Sequence, residues 1–332
     1  MNINNDKRVT IIVPTYNNKK TITRCLNSIL KQSYSNIHII VVNDGSTDGT
    51  EAILEKYSNN KKITVINQKN KGVSAARNRG LELVDAEFVA FVDADDFVDT
   101  NYISNLLSGY TGDIDLSITG VRNIEDINKN THSESNYKTG IFNNIETVDY
   151  IISDNGPKGY LYNKLWRMKI IKKYSLKLDE SISMAEDLLF SVSYLIHSRK
   201  ILIKNNCDYN YFWQETGLSS KMAIKKHDNY HNACSSYIKV YEDIIHMIPS
   251  NYSEVMINAK ANLALAYIVY IRQINLNEPK EKTKLMELKN EAWQLRNNVK
   301  QSNIISRKDK ILYYLTLKTS FLVKLRDSII NG

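Results

Sequence analysis

The first 120 residues alternate between short apolar runs and segments with helical spacing, and this alternation constrains the fold more than any other feature. Five runs predict strands: VTIIV (9–13), IHIIVV (37–42), ITVI (63–66), FVAFV (88–92) and DLSIT (115–119). Between them, apolar residues recur at helical spacing over 22–30, 53–57 and 73–84. Because strands joined through helices run parallel and are covered on both faces, the pattern predicts an α/β fold with a mostly parallel sheet flanked by helices.

Polar residues follow four of the predicted strands directly. They occupy positions 14–17, 43–44, 67–68 and 93–96. In open α/β sheets the ligand site lies beyond the carboxyl ends of the strands. We therefore expect these four segments to converge on one site at that edge.

The segment FVAFVDADDF (88–97) ends a buried strand in three carboxylates, which are costly to desolvate without partners. In an extended chain Asp93 and Asp95 point to one side and Asp96 to the other. Two such carboxylates can hold a hard divalent cation and leave positions open for a diphosphate. An exposed Asp-rich turn is the alternative interpretation.

Two further segments, VVNDGSTDGT (41–50) and NKGVSAARNRG (70–80), offer contacts for a nucleotide. Asp44 can accept a hydrogen bond from a base or a ribose, although a tight Asp-Gly turn explains it equally well. Gly72 precedes a helix start with nearby Arg77, which suits phosphate or base contacts. The chain contains neither GxGxxG nor GxxxxGK[ST], which argues against a dinucleotide-binding Rossmann domain and a P-loop NTPase.

The cysteines and the apolar content favour a protein of the reducing cytoplasm. Cys25, Cys207 and Cys234 are widely spaced and form no CxxC, so neither a disulfide framework nor a thiolate zinc site is expected. The N-terminus lacks the apolar core of a signal peptide, and we expect no 18-residue apolar run anywhere in the chain.

The net charge of +8 lies entirely in the last third, where residues 220–332 carry 18 Lys/Arg against 10 Asp/Glu. Long helical patterns dominate there, so we expect a first domain over 1–222 and a basic α-helical domain over 223–332. Basic, apolar helices can lie on an anionic membrane surface, form an oligomer interface, or simply cap a bundle. No groove-reading motif is present, and nucleic acid is not an expected partner. The polar stretch 123–160 predicts a loop excursion.

Four segments, VTIIVPTYNN, VVNDGSTDGT, NKGVSAARNRG and FVDADD, resemble in order and spacing the inverting family 2 glycosyltransferases with the GT-A fold. The resemblance covers residues 8 to about 100, and NKLWR (163–167) and AEDLLF (185–190) extend it to about 220. It implies a GT-A-like domain that moves a sugar from a nucleotide-sugar, most often UDP-linked, to a hydroxyl of a glycan, glycolipid or glycoprotein. Bacterial surface polysaccharide or glycoconjugate synthesis is the expected setting.

The resemblance also implies roles for particular residues. Asp95 would ligate Mn²⁺ or Mg²⁺ on the nucleotide diphosphate, with Asp93 on the ribose side or at the water shell of the metal. The implied nucleotide-sugar contacts are Pro14, Tyr16, Asp44, Gly72, Arg77 and Asp93.

The expected general base lies in SISMAEDLLFSVSYLI (181–196). From the residues alone, Ser183 and Glu186 fit a capping box, and acids in a first turn suit the helix dipole, which leaves Asp187 unexplained. The resemblance makes Asp187 the base that takes the proton of the acceptor hydroxyl. Glu186 would be its structural partner and an acceptor contact.

Aromatic residues in GPKGYLYNKLWR (156–167) can line an acceptor groove or belong to the core. Trp166 is the candidate acceptor contact, with Tyr160 and Tyr162 beside it. Farther along, Trp213, Ser219 and Ser220 are candidates for the donor phosphates, and His227 is a candidate for the metal shell.

Two other functions fit parts of the pattern. A sugar nucleotidyltransferase would need a Gly-rich, basic loop directly after the first strand, where this chain has PTYNNKK. A nucleotide-sugar-binding module without catalysis would predict damage to the Asp cluster or to Asp187, and both are intact.

Overall fold

A computed structural model describes residues 7–126, 131–212, 230–278 and 280–330. The chain divides into two compact units. The first comprises Met1–Thr147, Gly159–Ser181 and Glu186–Gln214, and the second comprises Val148–Lys158, Ile182–Ala185 and Glu215–Gly332. The expected boundary between 222 and 223 lies outside the described residues.

The described strands, in chain order, are β1 (Val9–Thr15), β2 (Ile37–Asp44), β3 (Ile63–Gln68), β4 (Phe88–Phe91), β5 (Phe97–Val98), β6 (Ile114–Ile118), β7 (Val121–Asp126), β8 (Thr131–Glu134), β9 (Gly140–Asn143), β10 (Lys164–Arg167), β11 (Lys200–Ile203) and β12 (Tyr209–Phe212). The described helices are α1 (Ile22–Leu30), α2 (Thr50–Leu54), α3 (Val73–Glu82), α4 (Tyr102–Leu107), α5 (Asn144–Ile152), α6 (Met168–Lys173), α7 (Glu186–Ile196), α8 (Tyr230–Met247), α9 (Ser253–Asn277), α10 (Lys282–Gln294), α11 (Arg296–Gln301) and α12 (Arg307–Ile330).

The larger sheet of the first unit has the order β3-β2-β1-β4-β10-β6-β11-β9. Strands β1 to β4 are parallel to one another, whereas β10 runs antiparallel to both β4 and β6. A smaller sheet has the order β5-β12-β7-β8. The α/β class and the helical C-terminal region are as predicted, and the parallel half is the part built from sequential strand–helix units.

Burial in the first unit follows the sequence pattern. Every residue of β1 is buried, and α1 buries Ile22, Cys25, Leu26 and Ile29, which are residues at the predicted helical spacing. The cysteines Cys25, Cys207 and Cys234 are buried free thiols. A strand that is buried on both faces is held firmly in the sheet. The polar segment that follows its carboxyl end therefore starts from a fixed position.

The predicted loop excursion over 123–160 is wrong. The described part of this stretch forms strands β7, β8 and β9 and helix α5. β8 and β9 are edge strands, and β9 alternates half-buried with exposed residues, so that Ile141 is 62% exposed. Edge strands need no continuous apolar run, which is why a polar sequence concealed them.

In the second unit, α9 is the most extensively buried helix among the described elements. It is also the one described helix that is long and apolar enough to cross a membrane by length and composition. Just over half of its apolar window, 56%, is buried inside the structure, as is typical of a core helix. The expectation that the chain has no 18-residue apolar run is therefore wrong for α9.

Helix α3 lies close against β1 because Gly80 has no side chain. A methyl group at this position would lie 2.6 Å from Cγ2 of Ile12, a fully buried residue. Overpacking costs about 1–3 kcal/mol, which exceeds the roughly 1 kcal/mol that Ala gains over Gly in a helix. Gly80→Ala should therefore lower the free energy of unfolding by about 1 kcal/mol in a urea titration.

Gly112→Ala is the matched control, because a methyl group there would meet nothing within 4 Å. Its unfolding midpoint should stay at that of the wild type. Equal stability of both variants would contradict the close packing of α3 on β1.

Candidate active site at the carboxyl edge of the sheet

The polar ends of the parallel strands lie side by side, as predicted. Asn43 pairs with Thr15 on one side and with Asn67 on the other, and Asp44 pairs with Gln68. The Asn43 amide donates to Oδ1 of Asn67 at 3.0 Å. Strand register therefore places three of the four polar segments next to one another.

The loop after β1 is tied to the loop after β2. The backbone N–H of Thr47 donates to Oδ1 of Asn17 at 2.8 Å, and Asn17 adopts the left-handed conformation with φ 55°. Tyr16, just before it, is 48% exposed. Pro14 is buried near the end of β1. It lies beyond the last residue of β1 that pairs with β4, so its missing backbone N–H costs no hydrogen bond to that strand.

Asp44 organises the third loop. Its carboxylate accepts from Nε2 of Gln68 at 2.8 Å and from the backbone N–H groups of Lys71 (2.9 Å) and Gly72 (2.8 Å). Gly72 has φ 93° and precedes α3, a conformation that favours glycine. Because a carboxylate can accept about four hydrogen bonds, Asp44 retains capacity for one more donor.

Arg77 of α3 joins two acidic segments that are far apart in the sequence. Its Nη2 donates to Oδ1 of Asp93 and its Nη1 donates to Oε1 of Glu186, both at 3.0 Å. The Arg77 side chain is only 10% exposed. Burial lowers the pKa of its guanidinium, but the neighbouring carboxylates outweigh burial and raise that pKa. The Asp cluster and the Glu-Asp pair therefore belong to one site.

The three aspartates after β4 have separate environments. Asp96 is buried and accepts from the Tyr209 hydroxyl at 2.6 Å and from the backbone N–H of Phe212 at 2.7 Å. Asp93 is held by Arg77. Burial, together with the charge of Asp93, raises the pKa of Asp95 to about 6. Negative charge at Asp95 is thus disfavoured as the site stands, and a bound cation would offset that cost.

Among the described residues no group of three or more His, Cys, Asp or Glu side chains forms a metal-binding cluster. Asp96 is committed to Tyr209 and Phe212. The donor set on hand is therefore Asp95 with Asp93 beside it, which suits a cation that takes its other ligands from a diphosphate and water. His227, the candidate for the metal shell, lies outside the described residues, as do Trp213, Ser219 and Ser220.

Helix α7 begins at Glu186, directly after Ala185, which has φ 67°. Left-handed backbone is uncommon for alanine and is concentrated at functional sites. The capping-box interpretation is wrong, because the Ser183 hydroxyl is hydrogen-bonded to the Ser236 hydroxyl at 3.0 Å and Glu186 is bonded to Arg77. Glu186 therefore has its partner outside the helix, on Arg77.

Asp187 is half-buried, and its Oδ1 accepts from the N–H of Leu188 at 2.8 Å. Burial raises the pKa of the Asp187 carboxyl, and the positive charges of Arg77 and Lys164 oppose that rise. Burial and the charge of Asp187 also raise the pKa of Glu186. A carboxylate with a raised pKa is a stronger base than an exposed one.

Lys164 was missed by the sequence analysis. It is wholly buried at the start of β10, and its Nζ donates to Oδ1 of Asn163 at 2.9 Å and to the carbonyl of Tyr160. Burial lowers the pKa of Lys164 to about 7, although the charge of Asp187 opposes this. A lysine directly before the apolar pair Leu165 and Trp166, in NKLWR, was the available indication.

The prediction that Trp166 lines an acceptor groove is wrong. Trp166 is 0% exposed in β10, with its ring packed edge-on against Phe190 and Tyr194. The core alternative holds, because β10 is inserted between β4 and β6 in the sheet. Tyr160, in contrast, is 42% exposed.

Replacement of Arg77 should be costly because it leaves two poorly hydrated carboxylates without their cation. We expect Arg77→Gln to lower the free energy of unfolding by about 3 kcal/mol at pH 8. The deficit should shrink at pH 5, where the raised pKa of Glu186 lets it bind a proton in the variant. Urea titrations at the two pH values measure both effects.

Arg79→Gln is the matched control on the same helix, because Arg79 is 48% exposed and pairs only with Glu82 at i+3 among the described contacts. It should change stability by less than about 0.5 kcal/mol. A loss in Arg77→Gln no larger than this would show that the bridge is not a structural tie.

Comparison with known proteins identifies a family for most of the first unit. Residues 10–174 match the family model for glycosyl transferase family 2. Glycosyltransferase GlyA of Streptococcus pneumoniae is 30% identical over 229 residues, which cover 64% of this chain. The chain spans only 32% of that relative's own length.

Solved structures share the fold. A crystal structure of S. aureus TarS in complex with UDP-GlcNAc aligns over 96% of this chain and 92% of that one, with TM-score 0.62 and 20% identity. A mannosyltransferase of Pyrobaculum calidifontis, solved with GDP-Man and Mn²⁺, aligns over 88% and 87% with TM-score 0.51 and 16% identity. With the expected motifs in place and the GT-A-like fold shared, the chain belongs to glycosyl transferase family 2.

Proposed function

We propose that the chain is a metal-dependent inverting glycosyltransferase. It would move a sugar from a UDP-linked nucleotide-sugar to a hydroxyl of a glycan, glycolipid or glycoprotein acceptor in bacterial surface polysaccharide or glycoconjugate synthesis. The observation that carries the proposal is the Arg77 bridge, which ties the Asp93 segment to the Glu186–Asp187 helix start. Donor and base are then held by adjoining parts of one edge, as single displacement requires.

The nucleotide would bind across the strand ends. Pro14 and Tyr16 would flank the base, and Asp44 would accept a base N–H with its remaining capacity. Gly72 and Arg77 would close over the nucleotide, with Asp93 near the ribose. The buried Nε of Arg77 has no hydrogen-bond partner in the described part of the chain, and a ligand oxygen would satisfy it.

Asp95, with Asp93 beside it, would hold Mn²⁺ or Mg²⁺. The bound cation would supply charge neutralisation to the departing diphosphate. The raised pKa of Asp95, and the hydrogen bonds that already engage Asp44, Asp93 and Asp96, support its place as the principal protein ligand.

Asp187 would act as the base. As the acceptor oxygen bonds to the anomeric carbon, the bond from that carbon to the diphosphate oxygen breaks, the nucleoside diphosphate leaves, and the acceptor proton passes to Asp187. Glu186, fixed by Arg77, would hold the helix start in place and border the acceptor. No covalent sugar–enzyme intermediate is required.

The test is incubation of the full chain with a panel of UDP- and GDP-sugars and Mn²⁺. Release of UDP from one UDP-sugar, suppressed by EDTA, is the expected result. Pyrophosphate-dependent exchange would point to a sugar nucleotidyltransferase, and binding without turnover to a module without catalysis. Either outcome would overturn the proposal.

Asp95→Asn should specifically weaken the affinity of the site for the metal. We expect the Mn²⁺ concentration for half-maximal UDP release to rise at least about tenfold, because one charged ligand becomes neutral. Asp85→Asn, a change at an exposed aspartate, is the control and should titrate like the wild type. Metal titration of UDP release distinguishes the two, and an unchanged midpoint in Asp95→Asn would contradict the assignment.

Asp187→Asn should reduce transfer by at least about a hundredfold, since general base catalysis contributes at least that much. The affinity for UDP, measured by calorimetry, should stay within about twofold of the wild type. In the wild type, the rate should fall on acidification through the raised pKa of Asp187, at a higher pH than for an ordinary aspartate near about 4. Transfer by Asp187→Asn at the wild-type rate would remove it as the base.

A cytoplasmic location, where UDP-sugars occur, is part of the proposal, and the buried free cysteines are compatible with it. Peripheral membrane contact through the basic C-terminal helices stays a prediction. The core position of most of α9 favours a role for that helix inside the second unit.

A further inference from the structure

We infer that Tyr160 is a stacking platform for a pyranose ring of the acceptor, beside the base Asp187. The inference rests on the proposed glycosyltransferase function and deepens it by naming the acceptor class. It depends on a column of rings, called here the tyrosine stack, which consists of Tyr160, Tyr162 and Tyr209.

The rings of the tyrosine stack are nearly parallel. The centroids of Tyr160 and Tyr162 are 5.0 Å apart with planes at 14°, and those of Tyr162 and Tyr209 are 4.4 Å apart with planes at 12°. Exposure rises along the column, from 0% at Tyr209 through 8% at Tyr162 to 42% at Tyr160. The stack thus has a buried base and one exposed outer ring.

The inner end of the tyrosine stack is fixed to the donor side of the site. The Tyr209 hydroxyl donates to Oδ2 of Asp96 at 2.6 Å and accepts from the backbone N–H of Asp93 at 3.2 Å. The carbonyl of Tyr162 accepts from the Tyr102 hydroxyl at 2.6 Å. The column is therefore anchored on the loop that is proposed to hold the metal and the diphosphate.

The outer end is fixed to the helix that bears the base. A methyl group at Gly159 would lie 2.4 Å from Cα of Leu188, the residue after Asp187, so the two backbones touch. The Ser191 hydroxyl donates to the carbonyl of Gly159 at 2.6 Å. The Nζ of Lys164 donates to the carbonyl of Tyr160, and the charge of Asp187 acts on the same lysine by raising its pKa. Tyr160 therefore lies next to the first turn of α7.

This placement suits an acceptor sugar. One face of the Tyr160 ring is covered by Tyr162, and its exposed surface is held in a fixed orientation, so little ordering entropy is lost on binding. A pyranose ring offers a flat patch of C–H groups that can stack on an aromatic face, with its hydroxyl groups at the rim. An open-chain polyol offers no such patch. The geometry therefore favours a pyranose over a polyol at this position.

Saturation-transfer NMR on the full chain, with and without UDP, tests the inference. The probes are methyl β-glucopyranoside, methyl β-galactopyranoside and methyl N-acetyl-β-glucosaminide, with ribitol as the open-chain comparison. We expect at least one pyranoside to bind, and Tyr160→Ala to raise its Kd about two- to tenfold. Tyr160→Phe, which keeps the ring, should bind like the wild type.

Tyr174→Ala is the matched control, because Tyr174 is a 38% exposed tyrosine stacked on His197 and is not part of the tyrosine stack. It should leave the Kd of the pyranoside unchanged. Calorimetry should give the same UDP affinity for Tyr160→Ala as for the wild type.

Four results would overturn the inference. They are no pyranoside binding by the wild type, an unchanged Kd in Tyr160→Ala, an equal loss in Tyr160→Phe, or a parallel loss of UDP affinity that would indicate a structural role. Equal binding of ribitol, lost in the same variant, would overturn the choice of a pyranose. The chain could also bind a pyranoside through Tyr160 and yet release no UDP from any UDP-sugar. That result would contradict the proposed function but support the role of Tyr160 as a stacking platform.

Discussion

The buried guanidinium of Arg77 is the constraint on which the site depends. A cation that is only 10% exposed needs carboxylate partners, and carboxylates gathered at the mouth of a sheet need a cation. The two needs are met together, because one planar group with two donor nitrogens spans Asp93 and Glu186. The bridge connects residues 109 positions apart and so couples the geometry of the donor loop to that of the base helix. A helix start held in this way can carry a strained residue, Ala185.

The acidic edge is stable because its carboxylates do not all share one role. Asp44 accepts hydrogen bonds from the loop before α3 and Asp96 accepts them from β12, so both are part of the scaffold, whereas Asp93 is held by Arg77. That leaves Asp95 with a pKa of about 6, since burial and its neighbour oppose its charge. The ionised form of Asp95 is therefore destabilised in the ligand-free state. A bound cation would relieve this destabilisation, which would favour cation binding. The Tyr209 hydroxyl of the tyrosine stack donates to Asp96. The same aspartate therefore also helps to position the aromatic rings.

Much of the nucleotide half could be predicted from sequence, because its strands, helices and polar strand ends are local patterns. The register of β1, β2 and β3 then brings Asn43, Asp44 and their neighbours together with no further information. The failures involve non-local contacts. β10 enters the sheet between β4 and β6, which buries both Trp166 and Lys164, and no spacing in NKLWR reveals an antiparallel insertion. Ser183 and Glu186 fit a capping box in the sequence, but in the structure Ser183 is hydrogen-bonded to Ser236 and Glu186 to Arg77.

The charges around Asp187 show why a base can operate here near neutral pH. Burial alone would raise its pKa until it held its proton, and Arg77 and Lys164 oppose that rise. Arg77 keeps its charge at any working pH, but Lys164, with a pKa of about 7, does not. As Lys164 loses its proton, the pKa of Asp187 rises further, so a proton leaving the lysine makes the aspartate more basic. Below the pKa of Lys164, the charge of the lysine therefore favours the ionised form of Asp187, which is the form that a general base must take.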